Sequence, residues 1–292
     1  MISRRTALAG AGAIGIGLLT GCATPASHQS RPPLGLADAT VLRELARDYA
    51  GTLAQVAALG YGLFGFRLSG YGGASAAEPA PEDKARMVRA AGMKVDVVRL
   101  GVRNVDYDRQ LRQAVDVGAR VVVMTTAPVF IAGRQLGQTT RAAFDDWLPR
   151  LRALGEQARS LGLTLAYHNH WYDFIPLDGD TPLDLMARTI PPEILSFEVD
   201  LAWAWFGGVD PLALVEKLGP RVVSLHLKDI DRSRGTSPTD HAVPVGQGEM
   251  GYGALLPRLH ALTTAPGYVE VDSSPDGLAA AAQAARFILG RA

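Results

Sequence analysis

The sequence predicts an α/β protein built as a single closed (β/α)8 barrel over residues 34–292. Three observations carry that expectation. From Leu34 onward strand-like and helix-like segments alternate without a long linker, the pattern of repeated β-α units around one parallel sheet. The later strands alternate apolar and polar side chains with a period of two, and the length suits a barrel of roughly 250 residues around one core. The 292 residues are 48% hydrophobic and 20% charged, which excludes disordered, collagenous and multi-span membrane classes. Lys+Arg and Asp+Glu are each 29, so no basic excess invites nucleic acid.

The chain begins with a predicted address, residues 1–21. Ser3-Arg4-Arg5-Thr6-Ala7-Leu8 precedes an uncharged Ala-, Gly-, Ile- and Leu-rich stretch from Ala7 to Thr20, an n-region followed by an h-region too short to span a bilayer comfortably. It ends in Leu19-Thr20-Gly21-Cys22, which resembles the bacterial lipobox and implies that Cys22 is lipidated and becomes the mature N-terminus. The paired arginines resemble a twin-arginine signal, with Ala7 where that motif usually has Phe; an ordinary Sec lipoprotein signal is the alternative. Cys22 is also the only cysteine, so no internal disulfide can form. Residues 22–33 are then a polar, Pro-rich tether, and the expected location is the periplasm-facing envelope, with the membrane reached through a lipid anchor.

A short first strand is predicted near Pro33–Ala37, followed by a helix over Thr40–Leu59 and a strand over Gly62–Arg67. Helix Pro81–Ala91 and strand Lys94–Leu100 come next, then helix Tyr107–Val117 and strand Arg120–Thr125. Helix Thr140–Leu161 leads to strand Leu163–His170, and helix Thr181–Ile190 to strand Leu195–Leu201. Helix Pro211–Leu218, strand Val222–Lys228, helix Tyr252–Thr263, strand Tyr268–Asp272 and helix Gly277–Leu289 complete eight of each. Thr or Pro at several helix starts supplies a capping oxygen or a preset φ.

Alternation within the later strands points to the site. In Leu163–His170 one face carries Leu163, Leu165 and Tyr167, and the other Thr164, Ala166, His168 and His170. In Val222–Lys228 the residues Val223, Leu225 and Leu227 are expected to face helices, while Ser224, His226 and Lys228 face the interior. Ser196, Glu198 and Asp200 repeat the pattern, as do Tyr268, Glu270 and Asp272. The polar groups fall late in each strand, and carboxyl-terminal strand ends are where barrel active sites sit. His, Asp, His and Glu from four successive strands form a nitrogen and oxygen donor set suited to Mn, Mg, Co or Zn as a divalent cation with open positions. Such a cation polarises a carbonyl or hydroxyl so that a nearby base moves a proton at the adjacent carbon, which is isomerase, epimerase or lyase/dehydratase chemistry.

Tyr167-His168-Asn169-His170-Trp171-Tyr172-Asp173-Phe174, Glu198-Val199-Asp200-Leu201-Ala202-Trp203, Gly207-Gly208-Val209-Asp210-Pro211, Ser224-Leu225-His226-Leu227-Lys228-Asp229, Val245-Gly246-Gln247-Gly248-Glu249 and Tyr268-Val269-Glu270-Val271-Asp272 occur in this order. Together they resemble the sugar phosphate isomerase/epimerase family, within the xylose-isomerase-like TIM barrel superfamily that also holds inosose dehydratase, tagatose epimerase and endonuclease IV. The resemblance implies that Asp200, His226 and Glu270 are metal ligands. His168 stands where the superfamily usually has a fifth-strand glutamate and is taken as the fourth; Asp173, where the branch has Glu, and His170 are the alternatives. It further implies that Glu270 doubles as an acid/base group and that Lys228 holds a substrate oxygen; pairing of Lys228 with Asp229 or Glu198 is the alternative. His170, on the same face as His168, is the second candidate for moving a proton. Trp203 falls where the endonuclease has a further metal-associated His and is expected to stack on a sugar ring, or else to be a core aromatic. Asp173, Trp203 and Lys228 are thus candidate substrate-binding residues, and Gly246–Glu249 is expected to be a mobile rim loop.

The function expected from the sequence is a metal-dependent isomerase, epimerase or lyase/dehydratase acting on a sugar, keto-sugar or cyclitol, with a small carbohydrate or polyol as substrate and no nucleic-acid partner. The alternative is a non-catalytic carbohydrate-binding envelope lipoprotein with a degenerate site.

Overall fold

Eight parallel strands close on themselves in a ring, so the predicted (β/α)8 barrel is the fold of the protein. The computed structural model describes residues 32–69, 78–102, 105–133 and 135–290. Cys22 and the leader expectations lie outside the described residues. Among the described residues no helix is long and apolar enough to cross a membrane.

The barrel strands are β1 (Gly35–Ala37), β2 (Leu63–Arg67), β3 (Val97–Arg99), β4 (Val121–Met124), β5 (Thr164–His168), β6 (Ser196–Asp200), β7 (Val222–Leu227) and β10 (Gly267–Val269). β1 is only three residues long, yet it pairs with both β10 and β2 and so completes the ring. Every one of the eight pairings is parallel, which requires a crossover through the helical shell after each strand. The shell comprises α1 (Leu42–Arg47), α2 (Tyr49–Ala58), α3 (Pro81–Ala90), α4 (Tyr107–Asp116), α5 (Arg141–Ser160), α6 (Pro182–Thr189), α7 (Leu201–Phe206), α8 (Pro211–Leu218), α9 (Tyr252–Leu262) and α10 (Gly277–Leu289).

Period two sorts the side chains into two cores. Leu63, Val97, Val121, Val123, Ala166 and Tyr268 fill the barrel interior, while Phe64, Val98, Val122, Leu165, Phe197, Val199 and Val269 point out into the helices. Tyr268 occupies the interior because Gly35 makes room: a Cβ on Gly35 would stand 2.4 Å from the Tyr268 ring.

Several boundaries differ from the sequence expectation for local reasons. The helix expected over Thr40–Leu59 divides at Asp48, whose extended backbone and side-chain bond to Gly51 N cap a new helix. The fifth strand ends at His168 rather than His170, because the chain turns into a 3-10 segment at Trp171–Phe174. A register shift between β6 and β7 pairs Phe197 with Val222 and Glu198 with Ser224. Val223 consequently packs against the interior cluster, not the helices, while Ser224, His226 and Lys228 keep their inward direction. After β7 the chain also forms an unforeseen hairpin, β8 (Asp229–Ile230) with β9 (Ala242–Val243), which brackets an excursion over residues 231–241.

Candidate metal centre and proton-transfer site

His168 ends β5, Asp200 ends β6, His226 lies late in β7 and Glu270 follows β10. Their neighbours Tyr167, Val199, Leu225 and Val269 anchor the opposite faces in the shell, so pleating drives the four polar side chains inward. Register brings them level: His168 pairs with Glu198, Asp200 with His226 and His226 with Tyr268. One ligand atom from each of His168, Asp200, His226 and Glu270 falls within 4.8 Å of all the others, and all four residues are buried.

Local hydrogen bonds set the aim of each donor. Asp200 Oδ1 accepts from Trp203 N at 2.8 Å and caps α7, which leaves Oδ2 directed into the cluster, 3.8 Å from His168 Nε2 and 3.7 Å from His226 Nδ1. Asn169 exchanges two hydrogen bonds with the Asp200 backbone, at 3.0 and 3.1 Å, and so ties the end of β5 to the end of β6. His226 Nδ1 lies 3.0 Å from Glu270 Oε2.

Beneath the cluster is a buried floor that the sequence reading missed. Arg99 from β3 reaches both oxygens of Glu198 at 3.2 and 3.3 Å and contacts His226 Nε2, while Ser224 Oγ donates to Glu198 at 2.7 Å. Burial pushes Glu198 up, but the Arg99 and His226 charges outweigh it and hold the carboxyl well below its usual range. Glu198 thus remains ionised and fixes His226 from below. The available signal was Arg99 itself, a charge at an inward position of an otherwise apolar strand.

Lys228, fully buried, lies 3.0 Å from Asp200 Oδ2, 2.6 Å from Glu270 Oε2 and 2.6 Å from Asp272 Oδ2. Its pairing is therefore with these three carboxylates, not with Asp229 or Glu198. Burial opposes its charge, yet Asp200, Asp272 and Glu270 together keep the ammonium protonated far above neutrality. Its Nζ sits 4.7 Å from the centre of the Trp203 ring. Trp203 is only 1% exposed and packs on Lys228 and Trp171.

Asp173 stands outside the four-residue cluster, with Oδ1 accepting from Tyr167 OH and Oδ2 from His170 N, both at 2.8 Å, and its side chain is fully buried. It neither joins the cluster nor faces an open space; it fixes the turn that carries His170. That turn stacks the His170 ring on Tyr172 at 5.0 Å and sets it 4.8 Å from the His168 ring. Burial and the neighbouring His168 push the His170 pKa well down, leaving a neutral imidazole whose Nδ1 makes no hydrogen bond.

The Gly246–Glu249 rim is tied down rather than loose. Asp229 Oδ2 accepts from Gly246 N and Gly248 N, and Oδ1 from Ile230 N and Met250 N, at 2.9–3.1 Å. Tyr252 OH donates to Lys228 O at 2.9 Å and joins the same loop to β7.

The donor set fits a divalent cation. Two imidazoles and two carboxylates are a common borderline-to-hard set, and Asp200 Oδ2 receives no directed hydrogen bond. Glu198, Asp200, Glu270 and Asp272 face two fixed cations, Arg99 and Lys228, so carboxylate charge is in excess before the imidazoles are counted. His226 partly offsets it: burial lowers its proton affinity, but Glu198 and Glu270 raise it well above the usual value.

Comparison with known proteins agrees with this architecture. Inosose dehydratase of Bacillus cereus (strain AH820) is 27% identical over 122 residues, 39% of this chain and 40% of that protein. Inosose dehydratase of Lacticaseibacillus casei is 26% identical over 89 residues, 30% of this chain and 29% of that protein. The chain thus matches well under half the length of these relatives. Among solved structures, a sugar phosphate isomerase/epimerase from Parabacteroides distasonis ATCC 8503 superposes with a TM-score of 0.73 at 20% identity, covering 90% of this chain and 95% of that one. The IolI protein with a bound zinc atom superposes with a TM-score of 0.65 at 13% identity, covering 89% and 98%. At these identities the likeness is one of fold. The sequence profile of the xylose isomerase-like TIM barrel family matches residues 6–289, and the chain belongs to that family.

Proposed function

We propose that the protein is a divalent-metal-dependent isomerase, epimerase or lyase/dehydratase acting on a sugar, keto-sugar or cyclitol by proton transfer. The observation that carries this reading is the convergence of His168, Asp200, His226 and Glu270 within 4.8 Å. These four would hold Mn, Mg, Co or Zn, and the cation supplies a Lewis acid for substrate oxygens. His170 takes the proton from the adjacent carbon, a role suited to a neutral, half-buried imidazole beside the cluster. Glu270 is the second group able to hold that proton, and Lys228 offsets negative charge developing on the substrate. Relatives named as dehydratases, and an L-ribulose 3-epimerase that superposes with a TM-score of 0.64 at 17% identity, support this class of chemistry. The reading includes an envelope location through the leader and Cys22.

One observation favours a non-catalytic carbohydrate-binding protein: Lys228 already brings a cation to Asp200 and Glu270. Metal analysis of the purified protein, with turnover of a keto-sugar panel before and after chelation, separates the two. Stoichiometric metal and chelator-sensitive turnover support the enzyme. Sugar binding with neither supports the rival.

A further inference from the structure

Lys228 and a bound metal draw on the same oxygens. Asp200 and Glu270 are two of the four residues that converge within 4.8 Å, and the Lys228 ammonium stands 3.0 Å from Asp200 Oδ2 and 2.6 Å from Glu270 Oε2. Two cations on one acceptor repel each other, and more strongly where little water screens them. The buried ammonium is therefore a competitor of the metal unless another group decides where its protons point.

An ammonium carries three N–H groups and no lone pair, so its acceptors set its direction. The Lys228 backbone is held, since Tyr252 OH donates to its carbonyl at 2.9 Å, and the Trp203 ring closes one side of Nζ at 4.7 Å. Directed hydrogen bonds run from Nζ to Glu270 Oε2 and to Asp272 Oδ2, both at 2.6 Å, whereas Asp200 Oδ2 receives none. Asp272 thus takes an N–H group that would otherwise turn to Asp200. It stands outside the four-residue cluster. Its side chain is 23% exposed, against 0% for Asp200 and 9% for Glu270, so of the three carboxylates its charge costs the least to keep. The backbone aims it from both sides: Val271 N is fixed to Thr40 Oγ1 at 3.1 Å, and Ser273 takes a left-handed φ of 54° that side-chain-bearing residues seldom adopt.

We propose that Asp272 is a positioning residue that holds Lys228 off Asp200 Oδ2 and so keeps that oxygen available to the metal. It acts through the ammonium. This rests on the proposed function for the metal and adds a residue to which that reading gives no role.

The expected signature is a coupling between two side chains, read as manganese affinity by calorimetry on the full chain with no sugar present. Asp272→Ala is expected to weaken manganese binding about tenfold or more, the scale for losing a group that orients a ligand shell. Asp272→Glu, which keeps a carboxylate for Lys228, binds manganese more tightly than Asp272→Ala. In a Lys228→Met background, where no ammonium is left to restrain, Asp272→Ala changes the affinity by less than about twofold, because the two substitutions are then not independent. A carboxylate that acted only as a distant charge or as packing would weaken binding equally in both backgrounds. That result overturns the proposal, as does native affinity in Asp272→Ala. Circular dichroism checks the fold of each variant, and Lys228→Gln takes the place of Lys228→Met should the latter not fold. Should neither fold, Asp272→Glu with affinity no better than Asp272→Ala overturns the proposal. A native chain that binds no manganese strikes the functional reading and this proposal together, whereas native binding with equal losses in the two backgrounds strikes this proposal alone.

Discussion

Asp229→Asn tests whether the rim beside the cluster is held as firmly as its hydrogen bonds imply. In the native chain two carboxylate oxygens accept four backbone N–H groups, two on each oxygen. An amide keeps one accepting oxygen, so two N–H groups lose their acceptor and meet an NH2 group instead. Gly246 N and Gly248 N form one such pair, Ile230 N and Met250 N the other, and the amide will orient to spare the more buried pair. A hydrogen bond to a charged group contributes about 1.5–3 kcal/mol, and an orphaned, partly buried donor recovers some of that from water. The loss is therefore about 2–5 kcal/mol. Gly248 allows little relaxation, since a Cβ there would stand 2.4 Å from Ile230 O and 2.5 Å from Asp229 Oδ1. Guanidinium unfolding followed by tryptophan fluorescence measures the stability change, and amide exchange over residues 244–250 measures the local release. A loss below about 0.5 kcal/mol with unchanged exchange would refute the reasoning and return the segment to a mobile loop.

Other consequences follow from the fifth strand and the leader. His168→Ala is expected to lose metal, whereas His170→Gln keeps metal and loses roughly 10²-fold or more in turnover, the scale for removing a general acid/base; full turnover by both variants would move the function toward carbohydrate binding alone. Burial raises Asp173 to about 7 against a normal 3.8, although His170 N and Tyr167 OH pull it down. Between those values the folded chain retains a proton that the unfolded chain has released, so this group's contribution to stability declines as pH rises from about 4 to 7 and is flat above. Urea unfolding across that window should show a shallower decline for Asp173→Asn; an identical slope would remove the buried carboxyl as its cause. Cys22→Ser should release the protein from membranes on cell fractionation, and a native protein that is already soluble with residues before 22 intact would contradict lipidation.

The strands that carry the cluster were readable because period two is a strong local signal: Asp200, His226 and Glu270 each sit between two apolar neighbours, and His168 follows the buried Tyr167. The barrel floor was not readable in the same way. Arg99 and Glu198 meet across the interior from strands far apart in sequence, and no single-strand pattern reports that pairing. The contacts of Asp173 were not legible in the sequence, because they depend on the strand ending at His168 and turning at Trp171–Phe174, which brings the carboxylate onto Tyr167 OH and His170 N. The burial of Trp203 was not legible either, since it comes from α7 folding back as soon as Asp200 caps it. Asp229 was passed over beside Lys228, although four N–H groups wrapping one carboxylate is a reason for Gly246 and Gly248 to occur downstream.

The most direct test of the account is the metal content of purified protein and of its Asp200→Ala, His226→Ala and Glu270→Ala variants, measured alongside folding by circular dichroism. About one divalent ion per native chain is expected, with occupancy lowered in each variant while the barrel stays folded. Native protein that binds no divalent ion when it is supplied, or three variants with unchanged metal content, would contradict it.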